Sequence, residues 1–165
     1  MKKNQNKIKG EFTKLEKIIA LACDHGGFSL KEEIKKHFDE KGIRYIDLGC
    51  DSEKSVDYPV YAAKLCENLL SGGATLGILC CGTGIGMSIA ANKFDGIRAA
   101  CASDSFSVKF TRLHNDANVL CLGGRVVGPG LGCELADIFV STEYEGGRHQ
   151  RRLDMITKIE KGEKL

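Results

Sequence analysis

Five short, largely apolar runs recur along the chain, each parted from the next by a segment of helical periodicity, and no other feature restricts the fold so strongly. Residues 18–23, 43–49, 76–80, 97–103 and 118–123 are brief and end in Cys, Gly or Ser. Such runs suit strands covered on both faces. Between them, residues 29–42 set Leu30, Ile34 and Phe38 on one helical face, with Gly42 as a stop, and Ser29 and Glu32 at capping-box spacing. Further helices are predicted over 58–73, 85–93, 103–115, 128–142, which opens near Pro129, and 148–161. Strand and helix in alternation require a parallel sheet, because parallel neighbours need a crossover to bring the chain back. The expectation is an α/β fold, a three-layer αβα sandwich around a Rossmann-like five-stranded parallel sheet.

The 165 residues, 42% hydrophobic and 28% charged, are enough to bury one core. Residues 1–14, MKKNQNKIKGEFTK, are Lys-rich and aperiodic and read as a flexible extension, so residues 15–165 read as a single domain. A formal charge of +2 gives no general electrostatic case for nucleic acid or a membrane surface. No apolar stretch reaches the roughly 18 residues of a membrane span, and the N-terminus has no signal-peptide core, so a cytoplasmic protein is expected. The eight cysteines are scattered through strand-like and helix-like segments and read as reduced. There is no CxxC pair, and His25, His37, His114 and His149 show no zinc-ligand spacing with the cysteines, so no metal is expected. His37, on an amphipathic helix, reads as surface.

In open α/β sheets, ligands bind beyond the carboxyl ends of the strands, where helix N-termini and loop amides converge. The polar residues of this chain fall there: Asp24 and His25 after the first strand, Cys81 to Gly86 after the third, Arg125 after the fifth. The stretch CGTGIGM, residues 81–87, fails the phosphatase loop, since Met87 stands six beyond Cys81 where arginine is needed. It lacks the Lys-Ser/Thr of a Walker loop, and Met87 occupies the third glycine of a dinucleotide fingerprint. What remains is a loop of small residues whose amides at Gly82, Gly84 and Gly86, with the Thr83 hydroxyl, are able to gather around an anionic oxygen. The same positive helix end favours a thiolate at Cys81, suited to attack on a carbonyl or to proton removal beside one. An inert turn with a buried cysteine is the alternative. His114 ends a helix, where the dipole alone accounts for a cation. Arg148 and Arg152, four residues apart, share a face and could join Arg125 on a phosphate; a solvated basic face is the alternative.

The segments CDHGGFSLKEEI, DLG, SVDYP, CGTGIGMSIAANKFDGIRAA, HNDANVLCLGGRVVG and YEGGRHQRRLDMI, in this order, resemble the type B ribose-5-phosphate isomerases, within the wider family of ribose-5-phosphate, galactose-6-phosphate and allose-6-phosphate isomerases. The likeness runs from about Lys17 to Lys161. It implies an aldose–ketose isomerase that uses a cis-enediolate, a small-molecule sugar-phosphate substrate, and no metal or cofactor. By that resemblance Cys81 is the base. The Gly82–Gly86 loop, including Ile85, together with Thr83, stabilises the enediolate, and His114 with Asp24 opens the furanose ring. His25, Arg125, Arg148 and Arg152 correspond to phosphate-binding positions, and Tyr58 and Asn115 to sugar contacts. The family pairs subunits so that each cleft draws on both chains, implying a homodimer or a dimer of dimers. Some relatives carry a glutamate base near Gly86; here Met87 follows that glycine and Cys81 is present, which fits the cysteine branch. A six-carbon substrate, or a binding module without catalysis on the same sheet, are the competing readings.

Overall fold

The computed structural model describes residues 17–165; the extension predicted over 1–14 lies outside the described residues. Five strands, β1 (Ile19–Cys23), β2 (Tyr45–Asp47), β3 (Leu76–Cys81), β4 (Ala99–Cys101) and β5 (Val119–Gly123), form one all-parallel sheet in the order β2-β1-β3-β5-β4. Helices α1 (Phe28–Lys41), α2 (Tyr58–Leu70), α3 (Ile85–Ala91), α4 (Ser105–Asn115), α5 (Pro129–Ser141) and α6 (Gln150–Glu160) follow in turn, a 3-10 turn at Gly147–His149 preceding the last. The α/β expectation therefore holds, with the direction of winding reversing between β1 and β3.

Side chains alternate across the central strands. Ile19, Leu21, Ile78, Cys80, Leu120 and Leu122 face one layer, where they meet Leu30, Ile34 and Phe38 of α1, Val108 of α4, and Leu135, Ala136 and Phe139 of α5. Ala20, Ala22, Leu79, Cys81, Val119 and Cys121 face the other, against α2 and α3. The second face is lined by smaller residues, so α2 approaches closely: a Cβ on Gly77 would stand 2.5 Å from Leu65 Cδ2. Each fully buried Leu, Ile or Phe contributes on the order of 1.5–3 kcal/mol, so this core outweighs exposed pairs such as Lys17–Glu143.

Three local expectations need correction. The predicted 43–49 strand shrinks to Tyr45–Asp47, because β2 is an edge strand with a single neighbour, β1. The capping box does not form: α1 begins at Phe28, Ser29 lies within its first turn and donates to Glu53, and Asp24 Oδ1 accepts the N–H groups of Gly26 and Gly27. The last helix starts after a 3-10 turn. Two expectations that follow from residue type hold, with Pro129 opening α5 and Gly42 ending α1 in the left-handed region.

Among the described residues, no helix is long and apolar enough to cross a membrane. Lys31 is 1% exposed, its ammonium held 2.7 and 2.8 Å from the two Asp47 carboxylate oxygens and 3.0 Å from the Cys50 carbonyl. Burial works to raise the Asp47 pKa, but hydrogen bonds from Lys31, Lys35 and the Gly49 N–H outweigh it and hold the carboxyl below its ordinary value of 3.8. Asp47→Ala takes from the buried ammonium its bidentate carboxylate, leaving Glu32 Oε1 at 3.3 Å, and is expected to cost about 3 kcal/mol, read from urea unfolding at pH 7. A carboxylate with a lowered folded pKa contributes fully above its unfolded value and loses that contribution as pH falls through the folded one. The wild-type urea midpoint should therefore drop below pH 3.8 more steeply than that of Asp47→Asn; parallel curves would contradict this.

Candidate active site

The loops after β1, β3 and β5 interlock at the carboxyl edge of the sheet. Gly124 N donates to Cys81 O at 2.7 Å, Arg125 N to Gly82 O at 3.0 Å, and Asp24 N to Cys80 O at 3.1 Å. Backbones approach this closely because side chains are missing. A Cβ on Gly27 would fall 2.2 Å from the Cys80 carbonyl carbon, one on Gly123 2.7 Å from that of Thr83, and one on Gly124 2.7 Å from Gly26 O. Gly84 has φ +79, which turns the chain sharply from β3 into α3.

That turn governs Cys81. Its Sγ is buried and accepts the Gly84 N–H at 3.0 Å. Burial pushes the thiols of Cys23, Cys80 and Cys121 up, and that of Cys66 to about 11, marking them as unreactive packing residues. Thr83 is exposed, its Oγ1 accepting from Ile85 N at 3.3 Å, while the N–H groups of Thr83 and Gly86 donate to no acceptor among the described residues. Arg125 lies over this loop, since a Cβ on Gly82 would be 3.3 Å from its Nη1. His25 Nδ1 accepts from Val56 N at 3.3 Å. Tyr58 opens α2, and a Cβ on Gly86 would touch its ring carbon Cζ at 3.0 Å. Asp24, His25, Tyr58, Cys81 to Gly86 and Arg125 thus share one edge.

The other candidates lie elsewhere. Helix α4 runs back against the strands, so His114 and Asn115 at its end reach the opposite edge of the sheet. Arg98, just before β4, confirms this by donating to the Asn115 and Asp116 carbonyls at 3.1 and 2.9 Å. Asp116 sits in the left-handed region, φ 44, with its carboxylate between Arg98 Nη2 and Arg112 Nη1, each at 2.9 Å. Arg148 and Arg152 belong to the same end: Arg152 Nη1 donates to Arg148 O at 3.3 Å, and His149 stacks on His114 with ring centroids 4.1 Å apart. A single chain does not bring these four residues to Cys81. His149 was not among the residues singled out from sequence. It is 8% exposed, and burial, followed by His114 and Arg148 nearby, lowers its pKa from the ordinary 6.5. Its only sequence signal was its place beside Arg148, four residues after Glu145. His37, read as plain surface, is in contact with Asp137 at 3.0 Å.

A doubly wound parallel sheet with a cysteine, open amides and the Arg125 guanidinium at its carboxyl edge is an α/β architecture with room there for an anionic group. A ribose/galactose isomerase family profile matches residues 19–156. Ribose-5-phosphate isomerase B of Escherichia coli is 50% identical over 144 residues, covering 87% of this chain and 97% of that protein. The structure of Clostridium thermocellum ribose-5-phosphate isomerase B superposes with a TM-score of 0.86 at 46% identity, over 88% of this chain and 98% of that one. Mycoplasma genitalium ribose-5-phosphate isomerase B, solved with bound ribulose 5-phosphate, gives 0.83 at 39% identity, over 87% and 96% of the two chains. The chain belongs to the ribose/galactose isomerase family and is an isomerase.

Gly27→Ala should force the β1 and β3 loops apart. The expected result is a thermal midpoint lower by more than about 5 °C; an unchanged midpoint would show that the close approach is not needed.

Proposed function

We propose that this chain interconverts an aldose phosphate and its ketose phosphate, ribose 5-phosphate and ribulose 5-phosphate, with Cys81 as the base. The observation that carries the reading is the Cys81 turn: a thiol sulfur accepting a backbone N–H, beside open amides on a sharp strand-to-helix bend. In the open-chain aldose, Cys81 Sγ takes the proton from C2. The C–H electrons form the C1–C2 double bond and the carbonyl electrons move to O1, giving the cis-enediolate. Thr83 and the Gly82, Gly84, Ile85 and Gly86 loop stabilise that charge. A proton passes from O2 to O1, and the sulfur returns its proton to C1, leaving the carbonyl at C2. His114, with Asp24, moves the proton between ring oxygen and anomeric hydroxyl that opens the furanose. His25 Nε2, Arg125, Arg148 and Arg152 bind the phosphate dianion, and Tyr58 and Asn115 contact the sugar.

This scheme needs two copies of the chain, because Cys81 and His114 occupy opposite edges of one sheet. Exposed apolar residues beside the Cys81 edge support such pairing: Ile85, Ile89, Phe106 and Val126 are 55–70% exposed. We take the assembly to be a homodimer or a dimer of dimers with shared sites, and residues 15–165 to act as a single domain. All eight cysteines are free thiols, in keeping with a cytoplasmic enzyme.

The family description names galactose as well as ribose, so substrate size is tested directly. The expectation is a kcat/KM for ribose 5-phosphate above those for allose 6-phosphate and galactose 6-phosphate; the reverse order would give the site to six-carbon sugars. Cys81→Ala should lower kcat at least about 1,000-fold while ribulose 5-phosphate still binds, by calorimetry, within a few-fold of wild type. Near-normal turnover in that variant would remove Cys81 from the chemistry.

A further inference from the structure

The opposite edge of the sheet gathers three metal-binding side chains that the isomerase chemistry does not call for as a set. His114 Nε2 and His149 Nε2 each lie 3.7 Å from Glu145 Oε2, and one ligand atom from each residue falls within 4.8 Å of the others. Different parts of the fold supply them: His114 the end of α4, Glu145 the turn after α5, His149 the 3-10 turn. Their placement is held by the backbone, since Glu145 N donates to Leu113 O at 3.1 Å. His149 is 8% exposed, and Phe110 backs the His114 ring edge-on at 4.9 Å.

We infer that His114, Glu145 and His149 form a zinc(II) site, and that zinc bound there switches the enzyme off by occupying the His114 imidazole. Two imidazoles and a carboxylate, with the fourth position open, are a common zinc donor set. Donor atoms about 2.0–2.2 Å from a tetrahedral zinc stand roughly 3.4 Å apart, so the two 3.7 Å separations need only small rotations. The stacked rings lie 11° from parallel and must splay for their lone pairs to converge, which the exposed side of His114 permits. His149 Nε2 accepts a long contact from Arg148 Nε at 3.5 Å and lies 3.7 Å from Glu145 Oε2. Zinc would displace that contact and join them.

The inhibitory half rests on the proposed role of His114 in ring opening; the binding half does not. The experiment titrates chelator-treated, metal-free full-length protein with zinc chloride by calorimetry, and assays turnover with and without zinc. Wild type should bind one zinc per chain at this site and lose activity as it fills. Glu145→Gln should bind it at least about tenfold more weakly, keep its turnover in chelator, and resist zinc in the assay. His37→Asn, which alters the separate His37–Asp137 contact, should behave as wild type in both. Equal zinc affinity in wild type and Glu145→Gln, or no saturable binding in wild type, overturns the site. Binding lost in Glu145→Gln, together with wild-type turnover untouched at saturating zinc, overturns the switch. A protein inactive on every sugar phosphate would fail the functional reading alone, because the calorimetry decides the site without substrate.

Discussion

A parallel sheet has a polarity, and it sorts every candidate site residue of this chain. All five strands end on one edge, and the helices that return the chain end on the other. Residues just after strands, from Asp24 to Arg125, therefore collect at the carboxyl edge, while His114 in the last turn of α4 and the Arg148–Arg152 segment, which follows α5 and opens α6, collect at the amino edge. No loop movement of modest size joins the two groups within one chain. The catalytic scheme thus rests on a second copy, and the apolar residues around the Cys81 edge are where that copy would sit.

Within the carboxyl edge, the candidate site depends on backbone packing. Glycines at 27, 123 and 124 let three loops approach to hydrogen-bonding distance, and Gly84 turns its N–H onto the Cys81 sulfur. Cys80, one residue earlier, points into the opposite layer, and burial raises its pKa. Strand alternation puts the two adjacent thiols in opposite layers, and the Gly84 N–H distinguishes Cys81 from Cys121 on its own face.

Much of this was legible in the residues. The order of strands and helices followed from short apolar runs between amphipathic segments, and Pro129 and Gly42 marked boundaries because their backbone preferences are local. The Cys81–Gly86 loop stood out by spacing. What escaped was tertiary. The start of α1 is set by Asp24, which accepts two N–H groups across a turn, and not by Ser29. Edge strand β2 is shorter than its apolar run because it has one neighbour. The His114–Glu145–His149 cluster needs the turn after α5 to fold back onto α4, and no spacing rule encodes that return.

The division of the site between two edges is tested most directly by mixing two inactive variants, Cys81→Ala and His114→Ala, unfolding them together and refolding. If each site takes Cys81 from one copy and His114 from another, random pairing makes half the dimers mixed, each with one intact site of two. Activity should then return to about a quarter of the wild-type value. No recovery, with mixed dimers shown to form, would contradict the shared site.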